Sequence, residues 1–307
     1  MRQFLHCDNG YKECTEWQDG CWVNMVCPDD ADIRFLIDEL GVPEAFIEDL
    51  KDIDERPRVD LDGEWVLSIL RIPMPEKDDT MPYTTVPLGV MTNADAMVSL
   101  CFFDTELVED FIDYSRRKSL SVSRQTDFTL HMLFSATYWY LTYLKLMNEK
   151  VTGTVHSLEQ NIENSDLLNL MRLQKSLVLF NTSLKGNQVL LERLYRIYDT
   201  DFDTDLYEDL KIEMKQADNT VTIYSDILKS TMDAYGSIIS NNVNLIMKRM
   251  TSITIILMVP TLIASFYGMN VKGLALANLP LSFYIITFIA AAFTVLAYLW
   301  LRHMRWF

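Results

Sequence analysis

The sequence predicts an α/β cytosolic domain, a long stalk helix and two C-terminal transmembrane helices. Residues 251–270 and 281–301 contain no Asp, Glu, Lys or Arg. Each run of about 20 residues is long enough to cross a hydrocarbon core about 30 Å thick. The segment that leads into the first run and includes most of it, residues 206–267, contains only Gly236 and Pro260 as helix breakers. This predicts one continuous helix about 90 Å long.

These elements divide the chain into three predicted parts. Residues 1–125 form an N-terminal α/β domain, and residues 126–250 form long cytosolic helices that include the stalk. Residues 251–307 form a transmembrane hairpin with an outer loop at 271–280 and a short basic tail.

The flanking basic residues predict the orientation of the hairpin. Lys248 and Arg249 precede the first span, Arg302 and Arg305 follow the second, and the loop between the spans contains only Lys272. Because positively charged flanks remain in the cytosol, both outer ends are predicted to be cytosolic and the loop external.

The N-terminal part alternates between strand and helix patterns. Strands rich in Val, Leu and aromatic residues are predicted at 22–26, 65–71, 87–91 and 97–103. Helices are predicted at 30–40, 43–51 and 104–115. Residues 74–82 predict a polar, hairpin-like loop, and the helical pattern from residue 126 onward is interrupted at 151–153 and 160–165.

Composition narrows the range of partners. Lys and Arg number 27 against 43 Asp and Glu, a formal net charge of -16, which disfavours nucleic acid as a partner. Cys7, Cys14, Cys21 and Cys27 form no Cys-x-x-Cys pair, so reduced cytosolic thiols are expected rather than a zinc site. With no targeting peptide apparent, we expect a prokaryotic plasma (inner) membrane protein with cytoplasmic N- and C-termini.

One face of the first span and its approach is not lipophilic. Positions separated by three and four residues share this face and are polar, small or Met: Asn244, Met247, Thr251, Thr254, Met258, Thr261, Ser265 and Gly268. This stripe is compatible with a packing seam between membrane helices or with a pore lining, and periodicity does not choose between them. A pore would need several copies of the helix. Pro260 predicts a modest kink in the same span.

The outer end of the first span resembles the signature of the CorA family of magnesium channels. The tripeptide Gly268-Met269-Asn270 stands just before the outer loop of a C-terminal hairpin, as it does in that family. Residues 55–73 are similar to the family's Arg-Pro-Arg segment and the strand after it, and residues 86–91 and 97–103 resemble the next strands. The resemblance extends over residues 22–307.

The resemblance implies a funnel-shaped homopentamer whose first span lines a central pore. It places Gly268, Met269 and Asn270 at the outer selectivity mouth, with Asn270 in a ring. It also implies that Asn244, Met247, Met250, Met258 and Thr261 line the conduit. That set overlaps the stripe, with Met250 at its edge, and the overlap favours a pore over a packing seam.

The implied function is potential-driven Mg²⁺ influx, with Co²⁺ or Ni²⁺ as further ions. Mg²⁺ releases its water reluctantly, and a ring of amide carbonyls can accept hydrogen bonds from the hydrated ion. Apolar Met rings can gate by dewetting. Mg²⁺ is expected both as the transported and as the regulatory ion, without an organic cofactor. Membrane lipid and divalent cations are the other expected partners.

The resemblance also implies control by internal Mg²⁺ bound between cytosolic domains of neighbouring subunits. Asp209 matches an acidic residue of that kind in the stalk, and its partner is not identified by the sequence. The neighbouring Asp201, Asp203 and Asp205 are interpreted as a solvated turn. The outer loop departs from the family because it has no acidic residue, so weaker electrostatic attraction of cations is expected.

Two other functions remain as alternatives. A zinc or other transition-metal transporter would favour His or Cys along the path, and the stripe contains neither. A membrane-anchored enzyme or signalling domain would need a catalytic motif, and no Gly-x-Ser-x-Gly, His-Glu-x-x-His or Walker sequence is present. The protein is therefore not expected to be an enzyme.

Overall fold

The computed structural model describes residues 2–76, 81–122, 124–160, 164–198, 203–269 and 281–304. The chain divides into two compact units, Met1–Ser230 and Thr231–Phe307.

The first unit is built on a mixed seven-stranded sheet. The strands are β1 (Arg2–Cys7), β2 (Tyr11–Cys14), β3 (Trp22–Val26), β4 (Arg58–Asp62), β5 (Trp65–Pro75), β6 (Tyr83–Thr92) and β7 (Met97–Cys101). Their order in the sheet is β2-β1-β3-β7-β6-β5-β4. The central pair β3–β7 is parallel, with Val23 opposite Val98, and the other pairs are antiparallel.

Short helices cover one face of the sheet. Helix α1 (Asp30–Arg34) continues as a π-helical turn (Phe35–Glu39), and α2 (Glu44–Lys51) follows. Asp29 caps α1 in a reciprocal capping box, which satisfies the free N–H groups of the first turn. The apolar side chains of these helices pack on alternate residues of the central strands, because successive strand residues point to opposite faces.

Long helices cover the opposite face. They are α3 (Leu107–Lys118), α4 (Gln125–Gln160), α5 (Asn164–Tyr198) and the first turns of α6 (Thr204–Tyr267). An aromatic cluster of Tyr11, Trp22, Phe111 and Phe128 fills the space between the sheet and these helices, with ring centroids 4.8 to 6.4 Å apart. The sheet therefore lies between two helical layers.

Polar side chains of α5 fix this helix to the β5–β6 hairpin. Asn187 accepts a hydrogen bond from the backbone N–H of Arg71 at 2.9 Å and donates one to its carbonyl at 2.8 Å. Ser176 bonds in the same two-sided way to the backbone of Tyr83, at 3.2 and 2.7 Å. Backbone groups of the hairpin thereby obtain partners from a helix.

The second unit contains the rest of α6 and α7 (Ser282–His303). Both α6 and α7 contain a segment long and apolar enough to cross a membrane, and little of either segment is buried within the chain. Helix α6 continues through Pro260, as the sequence predicts. The predicted combination of α/β domain, long helix and two apolar C-terminal helices is confirmed.

Several local predictions need correction. The sequence analysis missed β1, β2 and β4, each of which buries only one residue because all three lie at or next to an edge of the sheet. The predicted interruption at 151–153 is wrong, since α4 continues through it and Thr152 bonds to the carbonyl of Asn148 at 2.9 Å. The helix predicted at 104–115 begins at Leu107 and continues to Lys118.

Gly10, between β1 and β2, gives a stability prediction. Its φ is +101°, and an added Cβ would lie 2.6 Å from the backbone Cα of Arg116. Gly10→Ala is therefore expected to lower the free energy of unfolding by about 2–4 kcal/mol, since strain and an unrelievable backbone clash add together. Thermal unfolding of the purified protein measures the change.

Gly20 provides the matched control, because its φ is +82° and an added Cβ would meet no atom within 4 Å. Gly20→Ala is expected to cost only the strain of about 1–2 kcal/mol. Equal shifts in the unfolding temperature for the two variants would contradict the proposed clash.

Candidate ion pathway

The predicted stripe is exposed along α6. Every member is solvent-accessible in the chain: Asn244, Met247, Thr251, Thr254, Met258, Thr261, Ser265 and Gly268. The methionines are more than half exposed, at 58% for Met247, 61% for Met250 and 60% for Met258. Apolar residues of α6 outside the stripe, such as Leu257 at 63% and Phe266 at 54%, are exposed to the same degree, so the exposure shows that the described part of the chain leaves this face uncovered.

Helix α7 lies across a cleft from one face of α6, and this face differs from the stripe. Ser252 is fully buried, and Pro260, Ile263 and Tyr267 are half-buried. Pro260, Ile263 and Tyr267 line a cleft of about 600 Å³ whose other wall includes Phe283 and Ile286 of α7. At about 100° per residue, this face is centred about 180° around the helix from the stripe. Contact with α7 therefore leaves the stripe uncovered.

The hydroxyl groups on the stripe are oriented by the helix itself. Thr254 donates to the carbonyl of Met250 at 2.9 Å, and Thr261 donates to the carbonyl of Leu257 at 2.8 Å. Because each hydroxyl gives its proton to the backbone, its oxygen retains lone pairs as acceptors. Water molecules around a cation are donors that match these acceptors.

The outer end of α6 has a defined termination. The helix ends at Tyr267. The N–H of Gly268 donates to the carbonyl of Ala264 at 2.9 Å, and the N–H of Met269 donates to the carbonyl of Phe266 at 3.4 Å. A Cβ on Gly268 would lie 3.3 Å from the Ala264 carbonyl oxygen, a tight contact that a shift of a few tenths of an ångström would have to relieve. Asn270 lies outside the described residues, as does the loop with Lys272.

Asp209 is exposed near the start of α6. Within the described part of one chain, no group of three or more His, Cys, Asp and Glu side chains is placed to hold a metal ion. The predicted role of Asp209 stays a prediction.

Asp203 has a structural role that the sequence interpretation missed. Its side chain accepts hydrogen bonds from the N–H groups of Asp205 and Leu206 at 3.0 and 3.1 Å, so it caps α6. Its own N–H donates to Asp127 of α4 at 2.8 Å. Asp201 lies outside the described residues. An Asp residue directly before the first residue of a long helical segment is a typical N-cap, and this local pattern could have identified Asp203 from the sequence.

His131 lies one turn after Asp127 in α4. Burial lowers the pKa of His131, while the carboxylates of Asp127 and Asp203 oppose that shift. Its ring packs 6.3 Å from that of Phe111, which places it in the core of the first unit rather than on the stripe. We therefore assign Asp127, Asp203 and His131 to the attachment of α6 to α4.

A family model described as CorA-like Mg²⁺ transporter protein matches residues 17–303. The chain belongs to this family. Two curated relatives are each named cobalt/magnesium transport protein CorA. The protein from Methanocaldococcus jannaschii is 27% identical over 271 residues, covering 86% of this chain and 84% of the relative. The one from Thermotoga maritima is 22% identical over 292 residues, covering 93% and 83%.

Solved structures show the same fold for this family member. The complete structure of the CorA magnesium transporter from Methanocaldococcus jannaschii superposes with a TM-score of 0.87 at 23% identity, covering 100% of this chain and 99% of that one. The full-length CmaX protein gives a TM-score of 0.73 at 17% identity, with 98% and 97% coverage. The first likeness extends over the whole chain and the second over nearly all of it.

Proposed function

We propose that this protein is a CorA-type magnesium channel that admits Mg²⁺ down its electrochemical gradient. The observation that carries the proposal is the polar and methionine-bearing stripe on α6, which faces away from α7 and is not covered by the described part of the chain. From Asn244 to Gly268 it extends for about 36 Å, enough to cross the hydrocarbon core. The names of the curated relatives support Mg²⁺, and Co²⁺ as a second ion.

The conduit requires several copies of α6, because one helix cannot enclose a path. We propose a homopentamer in which the stripes of five α6 helices face a common axis. Burial of the exposed methionines around this axis would remove them from lipid and form apolar constrictions, which close by dewetting. The threonine oxygens between these rings would contact the hydration shell of the ion.

Asn270 is proposed to form the outer selectivity ring, with Gly268 and Met269 as its support. Amide carbonyls can accept hydrogen bonds from the first water shell, so the ion need not be stripped of water. Because Gly268 has no side chain, it leaves room for neighbouring helices to approach closely at the mouth. A carboxylate ring would hold the cation more tightly and release it more slowly.

The membrane potential can drive uptake without a coupled reaction. A potential of about 100 mV contributes about 4.6 kcal/mol to the entry of a divalent cation. We propose the plasma membrane as the location, with both termini in the cytosol, and assign no enzymatic role. We also propose that the chain is divided at residues 125 and 250 into the N-terminal α/β domain, the long cytosolic helices and the transmembrane hairpin.

Ion uptake into proteoliposomes tests the function. The purified protein is reconstituted, and Mg²⁺, Co²⁺ and Zn²⁺ uptake is followed under a potassium diffusion potential or under a pH gradient. We expect the potential to drive Mg²⁺ entry and the pH gradient alone to have no effect. Zn²⁺ uptake without Mg²⁺ uptake, or flux that follows the pH gradient, would overturn the assignment.

Asp209 is proposed to bind internal Mg²⁺ at a subunit interface and to favour the closed state. Asp209→Ala should therefore raise the internal Mg²⁺ concentration needed for half-maximal closure by about tenfold, the effect of losing one charged ligand contact of about 1.4 kcal/mol. Currents from inside-out patches at graded Mg²⁺ measure this. Asp226→Ala, at an exposed position on the same helix, is the control and should behave as wild type. Unchanged Mg²⁺ sensitivity of Asp209→Ala would remove Asp209 from the site.

A further inference from the structure

Basic side chains gather at the end of the second unit where α6 approaches α7. Lys248 and Arg249 lie one turn before Ser252 in α6, and Arg302 follows Leu301 in α7. Ser252 and Leu301 are 0% and 1% exposed. At the other end, Ala264 near the end of α6 and Ile286 near the start of α7 line the same cleft, so the two helices are antiparallel and Ser252 and Leu301 lie at matching levels. The three basic residues therefore lie within about one helical turn of the same level.

These positive charges are not neutralised within the described part of the chain. None of Lys248, Arg249 and Arg302 forms an ion pair among residues that the structure describes. The sequence after Asp233 contains no acidic residue at all, although the whole chain has a formal net charge of -16. This end of the unit is thus a local reversal of the protein's charge.

Arg249 lies off the face of the stripe, and Lys248 lies at the border of that face. At about 100° per residue, Lys248 and Arg249 lie on either side of the direction of Ser252, which is the α7 side of the helix. Asn244 and Thr251, the members of the stripe nearest to these residues along the helix, lie about 80–100° from Ser252. Arg249 therefore faces the α7 side of the helix, and Lys248 points between that side and the proposed conduit.

We propose that Lys248, Arg249 and Arg302 bind the phosphate of an anionic phospholipid in the cytosolic leaflet. Leu299 and Trp300, in the last turns of α7, are 51% and 60% exposed and offer an apolar surface for acyl chains. An exposed Trp at this level is typical of the membrane interface. A free phosphate could use the charges but not the apolar surface, so we assign the site to a lipid. The inference rests on the proposed membrane orientation and not on the transported ion.

Native mass spectrometry of the full-length protein in a neutral detergent tests the proposal. The wild type is incubated with phosphatidylglycerol or phosphatidylcholine, and bound lipid is counted. Lys248→Gln/Arg249→Gln/Arg302→Gln should weaken phosphatidylglycerol binding by about 100-fold, since each basic side chain at an anionic surface contributes about fivefold. Lys211→Gln/Lys215→Gln/Lys229→Gln removes the same charge from exposed positions in the first unit and should bind as wild type.

Further arms keep the proposal falsifiable if the triple variant does not assemble. Arg302→Gln alone should lose about fivefold and Lys248→Arg should lose nothing. Millimolar inorganic phosphate should not displace the lipid. Equal binding of the two lipids by the wild type, unchanged binding by Arg302→Gln, or displacement by inorganic phosphate would each overturn the lipid site.

Discussion

Asn270→Ala is expected to reduce Mg²⁺ uptake by at least about 100-fold. The proposed ring would lose every amide carbonyl that accepts hydrogen bonds from the hydrated ion, and charge-assisted hydrogen bonds of this kind contribute about 1.5–3 kcal/mol each. Even a loss of about 3 kcal/mol at the rate-limiting entry step gives about 100-fold. Initial Mg²⁺ uptake by proteoliposomes under a fixed potential measures the effect.

Asn242→Ala is the matched control for this change. Asn242 is exposed on α6, and helical periodicity places it outside the stripe, towards the α7 side. Uptake by Asn242→Ala should equal that of the wild type. Normal uptake by Asn270→Ala, with the protein present in the membrane at wild-type levels, would remove Asn270 from the selectivity mouth.

The second large effect concerns the middle of the stripe. A cysteine at Thr261 should react with a positively charged thiosulfonate reagent added from outside, and uptake should then fall at least about tenfold. The attached charge would stand in a narrow path of low polarity and repel a divalent cation. Because the reagent does not cross the membrane, the native thiols in the first unit are not exposed to it.

Ile263→Cys is the control for orientation. Ile263 lies in the cleft with α7, opposite the stripe, although it is only two residues from Thr261. The reagent should leave uptake by Ile263→Cys unchanged. If the reagent instead blocked uptake by Ile263→Cys and left uptake by Thr261→Cys unchanged, the conduit would lie on the side of α6 opposite to the stripe, which would contradict the proposal.

The long helix and the stripe were predictable because both follow from local periodicity. A long segment with only Gly236 and Pro260 as breakers predicts one helix, and polar residues separated by three and four positions predict one face, without knowledge of distant contacts. The structure adds that α7 lies across a cleft from the other face of α6, which periodicity alone did not specify. The position of Asn270 is still a prediction, since it lies outside the described residues.

Other features depend on contacts between distant residues. Asn187 binds the backbone of Arg71 across 116 positions, and nothing in either local sequence predicts that pairing. The strand β1 buries only Leu5, so its alternation is too weak to be recognised without its partners. The capping role of Asp203 could have been predicted from the local sequence, because helix capping depends on residues only two or three positions apart. The acidic residues around Asp203 instead led to its interpretation as part of a solvated turn.

The reversal potential of single-channel or macroscopic currents in planar bilayers tests the central claim most directly. For a pore selective for Mg²⁺, a tenfold Mg²⁺ gradient should shift the reversal potential by about 30 mV, because each elementary charge gains about 2.3 kcal/mol per 100 mV and the ion carries two. A tenfold proton gradient should give no shift. A reversal potential that follows pH, or the absence of any Mg²⁺ current, would contradict a potential-driven magnesium channel.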